Sequence, residues 1–299
     1  IKYGTPKTNK TLLNKRISIF TFLKQIKFDI TAILIYAIVV GIADQYGFLS
    51  KIEIPIAMSA IIGTALSLLL AFRTAQAYER WWEARIIWGA IVNDSRTLIR
   101  QVKQFLPEKD TKIVQDFAYR QIIWCYVLGE SLRKLSYSKK VYDYVKEHKL
   151  SKNNIPNAII NQHSEALSKL EISDFKQIQI DSTLSRLCDS MGKCERIKNT
   201  VFPKSYSLLV HFFIYVFATL LPFGLDDIYV LVEIFLTALI PIIFIAIERT
   251  AIILQDPFEN VTTDIPMTSL AITIEINIKE LIGDTDLPIV EKPKSFYIM

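Results

Sequence analysis

The chain is poor in glycine, histidine and cysteine, and each shortage removes a class of chemistry. Nine glycines among 299 residues build no Gly-rich phosphate loop and no nucleophile elbow. His148, His163 and His211 have no cysteine or carboxylate at ligand spacing. Cys125, Cys188 and Cys194 also lack the spacing of a metal site, so they are expected to be reduced packing thiols. The net charge of 35 − 30 = +5 is modest, and no basic face marks a nucleic-acid partner. Internal repeats are missing too, as are Gly/Pro-broken spans at matching positions, which argues against a secondary transporter. No enzyme motif is left, so the chain is not expected to be an enzyme.

Apolar residues are abundant. The chain is 51% hydrophobic with a mean hydropathy of +0.28, yet 22% of it is charged. A membrane part joined to a large aqueous part satisfies both figures. Four apolar segments stand out: Ile30 to Ser50, Ile54 to Phe72, Ser205 to Leu225 and Ile228 to Ile247. Each is near the roughly 20 residues that a helix needs to cross a hydrocarbon core. Asp44, His211 and Glu233 are their acidic and imidazole side chains, and the last segment runs into Glu248-Arg249. His211 reads as a hydrogen-bonding group between helices, and Glu233 as paired or near the outer surface.

Residues 1 to 27 carry six lysines and Arg16, with no acid before Asp29. This excess predicts a cytoplasmic N-terminus and does not have the pattern of a cleavable signal peptide. With four spans the C-terminus is cytoplasmic as well, and the acidic turn Asp226-Asp227 is external.

The chain is organised around Ile54 to Arg85. Nineteen uncharged residues run, with no Gly or Pro stop, into charged and aromatic ones. One long helix is expected, with Pro55 in its first turn, leaving the membrane near Arg73. Gly63, Ser67, Ala71 and Ala75 recur every four residues, a ladder of small side chains that lets another backbone approach closely. Thr64, Leu68 and Phe72 form an adjacent stripe. Around a symmetry axis such a stripe makes an apolar constriction that gates by dewetting. Periodicity alone leaves ordinary packing inside one bundle equally open.

Pro107 to Phe202 reads as a helical aqueous domain. Pro107-Glu108-Lys109-Asp110 is a turn, and Ile113, Phe117, Trp124, Leu128, Leu132 and Leu135 share one buried helix face. Ile178, Leu184, Leu187, Met191, Cys194 and Ile197 keep a helical period further on. Near the C-terminus, Ile272, Ile274, Ile276 and Ile278 alternate as in a strand, but Leu270, Ile274, Ile278 and Leu281 fit a helix that Gly283 stops. Helix is the expectation. The division expected is a basic cytosolic segment (1–27), two transmembrane helices (28–78), a cytosolic helical domain (79–203), two further transmembrane helices (204–255) and a cytosolic C-terminal segment (256–299).

Two long motifs carry a family resemblance. The first is Arg73, Tyr78-Glu79-Arg80-Trp81-Trp82-Glu83-Ala84-Arg85, Trp88-Gly89, Asn93, Ser95 and Arg96. The second is Asp256-Pro257-Phe258, Asn260, Asp264, Pro266 and Thr273-Ile274-Glu275-Ile276-Asn277. Together with the four segments they resemble the bacterial branch of the bestrophin family. That resemblance implies an all-α membrane protein of the bacterial inner membrane, a homopentamer of identical subunits around a central pore. Its function would be ion conduction, with small monovalent cations favoured and a chloride or other anion channel of the same architecture as the alternative.

By the same resemblance, Thr64, Leu68 and Phe72 line the neck, and Ile178 or Ile180 forms a cytosolic aperture, although both also fit a core. Arg80, Trp81, Trp82, Glu83 and Arg85 read as structural, positioning the pore helix. Eukaryotic relatives hold calcium in a dense acidic run after the Pro-Phe. Here only Asp256, Glu259 and Asp264 stand near that place, fewer oxygens than the six to eight that Ca²⁺ takes. No cofactor is expected: local capping is the first reading of the three acids, and a cation held by them together with backbone carbonyls is the second.

Overall fold

A computed structural model of the chain describes residues 26–46, 54–150, 153–200, 202–225, 229–261 and 263–289. The basic stretch before Ile26, Lys51 and Glu53, the Asp226-Asp227 turn and the last ten residues lie outside these. Among the described residues there are nine α-helices and no strand. They are α1 (Lys27–Gln45), α2 (Ile56–Phe105), α3 (Thr111–Leu132), α4 (Lys139–Glu147), α5 (Ile155–Leu167), α6 (Asp174–Asn199), α7 (Lys204–Leu220), α8 (Val230–Leu254) and α9 (Met267–Ile282). Short 3₁₀ turns at Glu108–Asp110 and Pro222–Gly224 complete the set. Two compact units divide the chain, one of Ile1–Glu79 with Val201–Gln255 and one of Arg80–Thr200 with Asp256–Met299.

The first unit comprises α1, the first half of α2, α7 and α8. Three helices, α1, α2 and α8, are long and apolar enough to cross a bilayer. At 17 residues α7 spans about 25 Å at 1.5 Å per residue, the short end of a crossing. Ile33, Ala37, Leu66, Leu70, Val210, Ile214, Phe217 and Ile245 meet in one core. The α1–α8 contact is close because of Gly41, where an added Cβ would stand 2.5 Å from Ile234 Cγ1. Pro55 immediately precedes α2, where it costs no helical hydrogen bond. The fourth apolar segment extends seven residues beyond the expected Ile247, through Leu254, so Glu248 and Arg249 are helical.

In the second unit α3 packs against α9 and α5, and α5 against α6. Trp88, Phe117, Trp124, Leu187 and Ile274 are fully or almost fully buried in its core. The periodicity of α3 was expected to reach Leu135, but the helix ends at Leu132. Lys134 then turns to a positive φ of 53°, and Leu135 is exposed. Asn154 caps α5, its Oδ1 accepting from Asn157 N at 3.0 Å, and Pro156 occupies the first turn. The ambiguous C-terminal run is the helix α9. Met267, Ala271, Ile274, Glu275, Ile278 and Lys279 form its buried stripe, and Gly283 ends it at a left-handed φ of 78°.

Candidate functional site

The first half of α2 has two opposite faces. Ser59, Leu66, Leu70, Arg73 and Ala77 are buried against α7 and α8 or among their own neighbours in the first unit. At about 100° per residue, Leu66, Leu70 and Arg73 lie roughly 140–200° around the helix from Leu68. Leu68 and Phe72, with Thr64 beside them, face away from the subunit, and the first two are 59% and 58% exposed. The hydroxyl of Thr64 donates to Ala60 O at 2.8 Å, so its proton is used within the helix.

The small ladder does not stay on one face. A step of four residues advances about 400°, so the four rungs drift through roughly 120°. Gly63 is half-buried, and a Cβ there would stand 2.9 Å from Phe217 Cε2; it serves close packing on α7 within the subunit. Ser67, Ala71 and Ala75 are exposed. Beside them runs an open groove of about 530 Å³, lined by Leu70, Tyr78, Phe244, Ile247 and Leu254 as well.

Behind Phe72 sits a buried charged cluster. Arg73 Nη1 donates to Glu248 Oε1 at 3.2 Å, and both side chains are 2% exposed. His211 Nδ1 lies 2.7 Å from the other carboxylate oxygen, Oε2. The Phe202 ring is 5.4 Å from the Arg73 guanidinium carbon. One carboxylate on α8 thereby ties α2 to α7. His211 has the interhelical role expected of it, and Glu233 is buried on α8.

The Trp-Trp block belongs to the second unit. Arg80 Nη2 donates to the carbonyls of Ile197 and Thr200, the latter at 2.6 Å, and so caps the end of α6. Trp81 Nε1 donates to Thr263 O at 2.9 Å, and its ring stacks at 6.3 Å from that of Trp82. Glu83 pairs with Arg196 at 2.5 Å, while Arg85 is half-buried farther along α2. Arg96 reaches Asn277 Oδ1 at 2.9 and 2.5 Å, joining residues of the two motifs. Burial separates the two aperture candidates: Ile178 is 65% exposed on α6, whereas Ile180 is wholly buried in the core and has no surface to offer a pore.

Two of the three acids after α8 have local roles. Asp256 pairs with Lys198 at 2.7 Å and accepts from Phe258 N at 3.0 Å. Asp264 Oδ2 accepts from Asn260 N at 2.6 Å and Val261 N at 3.3 Å, closing a turn in which Asn260 has a φ of 69°. Burial pushes the Asp264 carboxyl up to about 6, against the two backbone donors and the Arg133 charge. Glu259 is exposed. Asp256 is thus neutralised by a lysine, and Asp264 spends an oxygen on backbone N–H groups. Among the described residues no group of three or more His, Cys, Asp or Glu is placed to hold a metal.

The profile of the family described as "Bacterial/Fungal Bestrophin protein" matches residues 7–280. The chain belongs to this bestrophin family. It is 31% identical over 255 residues to the "Voltage-dependent anion channel-forming protein YneE" of Escherichia coli K12, covering 82% of this chain and 83% of that one. The protein of the same name from Salmonella typhi is 30% identical over 261 residues, with the same two coverages. A crystal structure of a bacterial bestrophin homologue from Klebsiella pneumoniae superposes with a TM-score of 0.80 at 27% identity. It covers 87% of this chain and 99% of that one.

As a bestrophin, the chain is an all-α membrane protein, and most residues of its two signature motifs hold the second unit together. Glu248 was not singled out from the sequence, where it reads as the charged end of a span. The signal available was chemical: a carboxylate following an apolar run, in a chain whose other spans carry Arg73 and His211, invites pairing.

Proposed function

We propose that this bestrophin forms a homopentameric channel for small monovalent ions in the bacterial inner membrane. In this reading α1, α2, α7 and α8 cross the bilayer, both termini are cytoplasmic, and Thr64, Leu68 and Phe72 of each subunit surround the neck. The observation that carries it is the orientation of α2: its bulky apolar stripe is exposed opposite the stripe that its own subunit buries. The exposed rungs Ser67, Ala71 and Ala75 beside an open groove suit the close approach of a neighbouring helix. Ile178, exposed near the start of α6, forms the second aperture, and buried Ile180 supports it from behind.

Cations are the first reading for the permeant ion. Anions are the second, favoured by the names of the relatives. The channel is not gated by calcium, because two of the three acids near the place where it would bind, Asp256 and Asp264, are engaged by Lys198 and by backbone donors. An apolar neck closes by dewetting, so widening it favours a wet, conducting state. Replacing both Leu68 and Phe72 by alanine is expected to raise open probability in a planar bilayer. Unchanged currents from the double variant would remove this stripe from the pore, and reversal potentials under KCl and NaCl gradients decide the sign of the ion.

A further inference from the structure

Beyond Phe72 the exposed face of α2 stays uncharged until Glu79. From Leu68 to Glu79 is eleven residues, about 1100° or some 20° past three full turns, so Glu79 lies almost in line with Leu68 along the helix. It is about 10 Å beyond Phe72 at 1.5 Å per residue. Its side chain is exposed. Among the described residues no ion pair or hydrogen bond occupies its carboxylate.

The basic groups of this stretch are spent elsewhere. Arg73 points to the buried side and pairs with Glu248, and the Arg80 guanidinium caps α6 through the carbonyls of Ile197 and Thr200. The acid four residues on, Glu83, is taken by Arg196. Among the described residues, one unpaired carboxylate per subunit therefore follows the apolar stripe on its own face. We infer that Glu79 is the residue that selects the sign of the permeant ion, forming a ring of carboxylates at the inner end of the neck that concentrates cations and repels anions.

This inference rests on the channel reading above, with α2 at the axis. An uncharged neck cannot discriminate by sign, so the first charges beside it must. With five charges about 8 Å from an ion on the axis, in water and screened over about 8 Å, the local cation concentration rises on the order of five-fold and the anion concentration falls by a similar factor. The ratio of the two then moves roughly 25-fold, and low salt enlarges the effect.

The test is the reversal potential of the full-length protein in neutral-lipid bilayers under a ten-fold KCl gradient, for wild type, Glu79→Gln and Glu79→Arg. Wild type is expected to reverse on the cation side, Glu79→Gln to lose most of the cation preference, and Glu79→Arg to favour chloride. Glu79→Gln channels that reverse where wild type does, or a wild type already selective for chloride, overturn the assignment. The Leu68→Ala and Phe72→Ala double variant run alongside separates the two claims. If it changes open probability while the Glu79 variants keep the wild-type reversal potential, the neck stands and the ring falls. If it and the Glu79 variants all leave currents untouched, α2 does not line the path and both fall.

Discussion

Replacing Glu248 by glutamine keeps the shape of the side chain and removes one charge from the cluster behind Phe72. Arg73 would then stay ionised at 2% exposure with no counter-charge, and its Nε already lacks a partner among the described residues. The Phe202 face at 5.4 Å offsets about 1–2 kcal/mol of that. Breaking one side of a buried pair costs about 3–5 kcal/mol, and a unit of this size loses roughly 2–4 °C of midpoint per kcal/mol. Glu248→Gln is therefore expected to lower the unfolding midpoint of detergent-solubilised protein by about 6–20 °C. Removing both charges together, as Arg73→Met with Glu248→Leu, trades the pair for apolar packing and should recover most of the loss. A Glu248→Gln protein within 2 °C of wild type, or a double variant no more stable than the single, refutes the view that Arg73 is held by this carboxylate.

Three further predictions concern separate places in the fold. Gly63→Ala drives a Cβ against Phe217, whose ring is itself held edge-on at 5.3 Å from that of Phe244, and should cost about 1–3 kcal/mol of subunit stability. Ala71→Leu, on an exposed rung, should instead spare subunit stability and reduce the particle size on gel filtration; the reverse pattern would show the ladder to be internal packing throughout. For Asp264 the folded pKa of about 6 lies above the ordinary 3.8, so between these values the folded state binds more protons than the unfolded one. Stability from this group is present below pH 4 and is lost as pH rises to about 6, by no more than about 2 kcal/mol after allowing for solvent screening. Asp264→Asn should flatten the pH 4–6 part of a stability profile, and an unchanged slope would remove Asp264 as its source.

Composition and period were enough to read the all-helical plan, the four apolar segments and the unbroken α2 from the sequence. What the sequence could not supply was the direction in which a side chain points. Ile178 and Ile180 are two residues apart and chemically identical, and only the packing of α6 on its neighbours buries the second and exposes the first. The ladder from Gly63 to Ala75 looks uniform in sequence because every step is four. The helix turns 3.6 residues at a time, so its first rung packs on Phe217 while the last three remain open. Glu248 reads as a span end by hydropathy, but its partners lie 175 and 37 residues away (248 − 73 and 248 − 211), beyond any local pattern. Leu135 kept the period of α3 after the backbone had already turned at Lys134.

The position of Arg73 follows from what α2 is asked to do. A helix that presents Leu68 and Phe72 outward must be held by its opposite side, where the apolar anchors Leu66 and Leu70 give way to Arg73 as the chain nears water. Apolar packing alone is tolerant of small rotations about the helix axis, because dispersion contacts are non-directional and individually weak. A charge-assisted contact to a fixed carboxylate is directional and short-ranged. Arg73 to Glu248, with His211 on the same carboxylate, therefore fixes the rotation of α2 immediately beside Phe72. A turn of about 40° there would carry Leu68 and Phe72 together around the helix axis and, in one sense, bring Ala75, about 60° from Phe72, to within about 20° of the direction that ring had left. The rotational setting of the proposed neck and the integrity of the buried cluster are on this view a single property. The same Glu248→Gln substitution should thus change open probability at temperatures well below its unfolding midpoint, and wild-type gating in folded Glu248→Gln channels would separate the two.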